Sequence, residues 1–335
     1  VTLAELQEKV HPIDSSASAA VLFKKGATFF EASMDGYWQV VHETEYKIKI
    51  YKKEGYEYAQ HEEWYYSVPG GDKLYYSDVY TYNLVDGKIE KTKIKSDGEF
   101  IDRKTKEYSI KKIVLPNIKE GSVIEFKVRQ ETFNTVNLAN FYFQYDIPVN
   151  YMEYVISFPE RYEYNRTLYG YLKPEQKLEK IQLTNRNYNL FKQTYILKNV
   201  NAMREESYVS NINNYRSRIR YELASYKDNT DKPHHLSYDW ESVTKKIYQE
   251  DDFGKELKKD NYFEEDLNEL LKEVTSEEEK ILKIFEYVKN RVKWDESNGI
   301  LCDKGVKEVY KTRSGNVAEI NLMLTAMLRF AKIDA

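Results

Sequence analysis

One cysteine, Cys302, stands in a chain of 335 residues. A single thiol excludes an intrachain disulfide framework and any cysteine-rich zinc site. It does not set the compartment, because an exported protein can do without disulfides. No run approaches the roughly 18 consecutive apolar residues of a membrane span, so no transmembrane segment is expected. No basic block stands out either: 51 basic and 55 acidic residues are interspersed, for a net charge of −4. The electrostatic footprint of a nucleic-acid-binding protein is therefore missing. Mixed charge of this kind is solvated surface. Low-complexity segments and clear internal repeats are also lacking.

What is present suffices for sizeable cores: 41% of the residues are hydrophobic. At about 150 residues per domain the length predicts two or three domains. The chain begins at Val1 rather than Met, as after removal of a leader peptide or after trimming. Tyrosine is abundant, 31 residues against 14 Phe and 4 Trp. A sugar- or peptide-binding face is one reading, but the tyrosines are spread along the chain. Half-buried strands, which favour aromatics, account for them better.

The first two-thirds alternate with period two, which puts one face on a core and one in water. Glu45–Ile50, Ile124–Val128, Tyr154–Phe158 and Ile219–Leu223 all read this way. Pro69-Gly70-Gly71-Asp72, Asp86-Gly87 and Glu120-Gly121 supply turns between such runs. Asp86-Gly87 predicts a two-residue hairpin, and Gly70-Gly71 also reads as a hairpin turn with no phosphate-loop context. Many short strands separated by turns predict two antiparallel β-sandwich units, 1–150 and 151–232, dividing near Pro148. The polar stretch Asp228–Pro233 is the strongest linker.

Beyond it the period becomes helical, and 233–335 is expected to be the mainly helical part of an α+β domain. Ser276 with Glu279 fits a capping box. Ile281, Ile284, Phe285, Val288 and Val292 then share one stripe. Ile320, Met323, Leu324, Met327, Leu328 and Ala331 form another, expected to be incompletely covered.

The order of features in the last 60 residues resembles the transglutaminase-like superfamily, which includes bacterial cysteine proteases and amidases. A capped helix, Ile281–Trp294, is followed by Val306–Asn316 and a further helix, Val317–Arg329. Upstream, Ala17–Val21, Glu45–Ile50, Val85–Ile89, Leu115–Phe126, Asp146–Val149 and Arg204–Tyr208 follow one another. They resemble the domain of unknown function that precedes transglutaminase-like domains in many bacterial envelope proteins. The resemblance implies an exported protein of the periplasm or cell envelope.

It also implies a place for the chemistry. The family carries Gly-x-Cys at a helix start, with an acid two residues on. A helix N-terminus suits a thiolate because its free amides and dipole favour negative charge. A histidine and an acid complete such a site. Here the matching residues are Gly315, Asn316, Val317, Ala318 and Glu319. Gly315 and Glu319 are retained, while Val317 stands at the nucleophile position and can neither ionise nor attack. All five histidines, His11, His42, His61, His234 and His235, precede Val317, whereas the family's catalytic histidine follows its cysteine. This chain is thus not expected to assemble a triad, and no catalytic residue is assigned.

Cys302, between Leu301 and Asp303, reads as a small apolar filler rather than a displaced nucleophile. His234-His235 point opposite ways on an extended backbone, so no metal site is expected; no cofactor is expected either. Trp240 and Trp294 read as core or domain-interface aromatics rather than the lining of a vestigial cleft. The expected role is a non-catalytic envelope protein whose β units bind a protein, peptide or glycan. A cysteine protease or amidase and a structural spacer are the alternatives.

Overall fold

The computed structural model describes residues 1–32, 38–182, 189–228, 230–236 and 239–335. The chain forms two compact units, Val1–Ser237 and Tyr238–Ala335.

After a one-turn helix α1 (Leu3–Gln7), the first unit carries β1 (Ala19–Ala32), β2 (Trp38–Ile50), β3 (Gln60–Tyr66), β4 (Lys73–Val85) and β5 (Lys88–Lys93). Then come β6 (Glu99–Arg103), β7 (Tyr108–Val114), β8 (Val123–Thr132), β9 (Phe141–Tyr142) and β10 (Val149–Pro159). The last are β11 (Tyr162–Tyr169), β12 (Glu175–Gln182), β13 (Asn189–Val200), β14 (Arg218–Lys227) and β15 (Pro233–His235). Each run that alternates in sequence lies in a strand. In β10, Met152, Tyr154, Ile156 and Phe158 are buried, and in β14 Ile219, Tyr221 and Leu223 are. Asp86 and Gly87, with φ of 50° and 74°, join β4 to β5 across the Val85–Lys88 pair. This is the left-handed pair of a two-residue hairpin.

One eight-stranded sheet runs β12-β13-β10-β1-β2-β8-β4-β5. The expected division at 150 therefore does not separate two sandwiches. β10 lies parallel to β1, with Val21 opposite Val149 and Thr28 opposite Ile156, so segments 1–150 and 151–232 share a sheet. A parallel neighbour needs a long crossover, and here everything between β1 and β10 supplies it. Two smaller sheets, β3-β7-β6 and β11-β14-β15 with β9 on β14, pack against this sheet. Gly70-Gly71 thus connects strands of different sheets instead of closing a hairpin.

The interior is aromatic under both small sheets. Tyr46 stacks on Phe126 at 4.8 Å, and His61 of β3 lies 4.9 Å from Phe126. Under the other small sheet, Phe158 meets Tyr164 at 5.0 Å. Burial of each such ring is worth roughly 1.5–3 kcal/mol. Most polar groups inside are paired, with Thr81 Oγ1 among the exceptions. The fully buried Lys49 Nζ donates to Leu6 O at 3.0 Å and to Gly121 O at 2.6 Å, tying α1 to the turn before β8. Gly121 has φ of 90°, a conformation that favours glycine.

Asp228 and Lys232 close a turn, their backbones joined at 3.0 Å; Asn229 lies outside the described residues. β15 then pairs with β14, Ser225 opposite His235. The stretch expected as a linker is therefore part of the first unit, and the division falls after β15. Its polar and turn-forming residues serve a tight reversal as well as they would serve a linker.

The second unit contains α2 (Trp240–Gln249), a π-helical turn at Asp251–Lys255, α3 (Glu264–Leu271) and α4 (Glu277–Arg291). α5 (Val306–Thr312) and α6 (Val317–Phe330) follow, with the two-residue strands β16 (Lys293–Trp294) and β17 (Ser314–Gly315). Ile284 and Val288 of α4, Val306 and Val309 of α5, and Met323 and Met327 of α6 form its core. Ile320, Leu324, Leu328 and Ala331 on the same stripe are only half-buried. Among the described residues of this unit, β16 and β17 are the only strands.

Candidate functional site

Val317 is the first residue of α6. Asn316 caps the helix: its Oδ1 accepts the Glu319 amide at 2.9 Å, and the Glu319 carboxylate accepts the Asn316 amide at 2.9 Å. This is a reciprocal capping box. At α4, where the sequence suggests one, Ser276 accepts from the Glu279 amide; that helix shows only this half of the exchange. The Asn316 side chain also donates to Leu301 O at 2.9 Å. Val317 itself is 38% exposed, and its amide donates to Ser297 O at 3.2 Å.

Glu319 is completely buried. Its Oε1 accepts backbone amides from Asp303 at 3.1 Å, Lys304 at 2.5 Å and Gly305 at 2.9 Å. With Asn316, four amides converge on one carboxylate. A buried carboxylate needs such partners, and this one fastens the loop before α5 to the start of α6. The acid read from sequence as a neighbour of lost chemistry is thus a clamp.

Gly315 owes its place to packing. It pairs with Trp294 between the parallel strands β16 and β17. A Cβ there would lie 2.6 Å from Val309 Cγ1 and 3.0 Å from Glu319 Oε2. Its φ is not among the positive ones, so close approach of a helix and a carboxylate, and no special turn, demands glycine.

The tryptophans correct the sequence reading, since neither is core. Trp240 is 87% exposed and Trp294 51%. Trp294 Nε1 donates to Ser297 O at 2.8 Å, the carbonyl that also receives the Val317 amide, so this ring stands beside the helix start. An indole needs only one polar partner, and a local carbonyl supplies it without burial.

Cys302 is buried. Burial, reinforced by the carboxylates of Glu319, Glu256 and Asp252, pushes its thiol up to about 12. Such a thiol is inert.

No histidine lies in the second unit. His11 is buried and bonds Asn150 Oδ1 at 2.7 Å. His42 bonds Thr28 Oγ1 at 2.9 Å, and burial pulls it down to about 4. His234 bonds Asp228 at 2.8 Å and stacks on Tyr226, facing away from His235. Among the described residues no three His, Cys, Asp or Glu gather at metal-binding distance.

One feature was barely legible in the sequence. A cleft of about 860 Å³ opens in the first unit between β10, β12 and β13 on one side and β11, β14 and β15 on the other. Phe158, Tyr164 and Phe191 line it, with Tyr195 and Tyr221 also on its wall. The Tyr195 and Tyr221 hydroxyls lie 2.6 Å apart and both donate to Gln193 Oε1. Arg166 donates to Tyr195 Oη at 3.2 Å and to Gln176 Oε1 at 3.1 Å. The strands that form it are far apart in sequence, and only the alternating aromatics of β10, β11 and β13 hinted at it.

No curated protein matches the sequence. A crystal structure of a candidate protease from Parabacteroides distasonis ATCC 8503 shares the fold, with a TM-score of 0.64 at 16% identity. The likeness covers 94% of the present chain and 59% of that one. Residues 266–335, which include α4 to α6 and the Glu319 clamp, match the model of the transglutaminase-like superfamily. The helical unit thus carries a transglutaminase-like domain behind a β-rich region.

Proposed function

We propose that this chain is a non-catalytic bacterial envelope protein whose transglutaminase-like part has kept its scaffold and lost its nucleophile. The observation that carries this reading is Val317 at the first turn of α6, behind an intact capping box. That is where the superfamily resemblance puts the thiol, and an isopropyl group cannot attack a carbonyl. The inert, buried Cys302 supports the same reading. On this view the first unit resembles the domain of unknown function that precedes transglutaminase-like domains, and its role is to bind a protein, peptide or glycan. Location in the periplasm or envelope belongs to the same proposal, and fractionation of the native cells tests it.

The experiment for the central part is an assay of the full-length protein for proteolysis, amidase action and transamidation, with the Cys302→Ser variant alongside. The expected result is no turnover by either. Turnover that disappears in Cys302→Ser would promote the cysteine-protease alternative and end the non-catalytic reading.

A further inference from the structure

The three sheets of the first unit end on the strands β12 and β5, β11 and β15, and β3 and β6. An edge strand presents unpaired N–H and C=O groups and can template another strand unless its side chains forbid it. A second copy of the same chain meets such an edge across a two-fold axis, strand antiparallel to strand, so the edge must tolerate its own residues. Aligned over their whole lengths, β12 would set Lys177 against Lys180, and β3 would set Glu63 against its own copy. β5 would offset its Glu90–Lys91 pairs by setting Lys88 against Lys93. Like charges directly opposite are destabilising. β15 has three residues and begins with Pro233, and β11 gains no pair of opposite charges.

Among these edges β6 is the exception. It reads Glu99-Phe100-Ile101-Asp102-Arg103, every residue of it is exposed, and no described strand lies on its outer side. Antiparallel to itself, it sets Glu99 against Arg103 of the second copy twice over, with Ile101 against Ile101 at the axis. Glu99, Ile101 and Arg103 share one face of the strand, so both charge pairs flank the central isoleucines. Phe100 lies on the other face, diagonal to its copy and within reach of it. Ile101 is 65% exposed and Phe100 51%, so this pairing removes apolar surface from water. It also forms about four to six backbone hydrogen bonds across the axis. Glu99 already has Lys111 at 2.6 Å, and Arg103 gives Nε and Nη2 to the carbonyls of Thr105 and Lys106. A carboxylate and a guanidinium each keep further bonding capacity. Exposed ion pairs are worth only roughly 0.2–1 kcal/mol each. They select the register, while the backbone and the apolar side chains supply the affinity. So short an edge makes a transient dimer.

We propose that this chain self-associates through β6, joining two β3-β7-β6 sheets into one six-stranded sheet across a two-fold axis at Ile101. The partner is a second copy of the chain, whether or not the chain is catalytic.

The test uses the full-length protein. Sedimentation velocity at concentrations up to about 1 mM is expected to show a monomer–dimer equilibrium. Glu99→Arg and Arg103→Glu should each weaken dimerisation roughly tenfold, because two like-charge pairs replace two opposite ones. Mixed in equal amounts, the two variants are expected to recover the dimer, since the new arginine of one then faces the new glutamate of the other. Circular dichroism melts establish that each variant is folded. A second arm compares Ile101→Cys with Glu99→Cys under mild oxidation. Across the axis position 101 faces its copy at about 4.5–5.5 Å between Cα atoms, within the span of a disulfide, whereas position 99 lies four residues along from its copy and beyond that span. Ile101→Cys is expected to give a disulfide-linked dimer. Glu99→Cys and the native protein, whose Cys302 is buried, are expected to give none. Monomer throughout the concentration range overturns the proposal, as does a dimer indifferent to both charge reversals. Failure of two folded variants to recover the dimer on mixing, or equal cross-linking at 99 and 101, overturns it too.

Discussion

The start of α6 and the cleft of the β unit differ in how their polar groups are satisfied. At the helix start the buried side chains have found partners inside the protein: Glu319 holds four amides, and Asn316 caps the helix and ties down Leu301. In the cleft, Arg166 and Glu163 have neutral hydrogen-bond partners only. Side chains whose bonds are all made within the protein act as scaffold, because those bonds do not improve when a ligand arrives. Both cleft residues are solvent-exposed, and water serves the bonds that the protein leaves open.

The largest expected effect that would break this comparison is at the clamp. Glu319→Ala orphans four amides, three from the loop before α5. It should cost the helical unit about 3 kcal/mol in denaturant unfolding. A cost near zero would mean that the buried carboxylate is not structural. Gly315→Ala comes next, at about 2 kcal/mol, because its methyl meets Val309 at 2.6 Å and overpacking of a fixed neighbour costs this much. Replacement without loss of stability would refute the packing account of this glycine. Asn316→Ala removes the cap, for about 1 kcal/mol by the same measurement; a stabilised variant would contradict the role assigned to it.

The smallest effect is a pH dependence. The folded Cys302 thiol lies near 12, above its ordinary value of 9.0. Between these values the folded state binds the proton that the unfolded state has released, so this group makes stability fall as pH rises through that window. Denaturant midpoints at pH 9 and above should decline more steeply in the native protein than in Cys302→Ser. Parallel declines would show that the thiol titrates normally.

Much of the β architecture was legible locally and little of it globally. Alternation in Glu45–Ile50 or Ile219–Leu223 reports which face is buried, and both segments are strands. Alternation does not report the neighbour, so the parallel pairing of β1 with β10 stayed hidden, and with it the single large sheet. Asp228–Pro233 misled because turn and linker share a composition. In the helical unit, Asn316-x-x-Glu319 has the spacing of a capping box, which the family resemblance of the same residues does not bring out. The three amides of 303–305 that complete the clamp carry no sequence pattern at all. Nor could Arg166 and Glu163 be singled out, since charged residues on an alternating strand read as solvent-facing.

The most direct test of the non-catalytic account is thiol labelling of the folded full-length protein and its Val317→Cys variant with a soft electrophile near neutral pH. The buried Cys302 should remain unlabelled until denaturant is added, while a thiol at position 317, exposed at the first turn of α6, should react fast because the helix start stabilises its thiolate. Rapid labelling of Cys302 in the native protein, or a thiol at 317 no more reactive than free cysteine, would contradict the account.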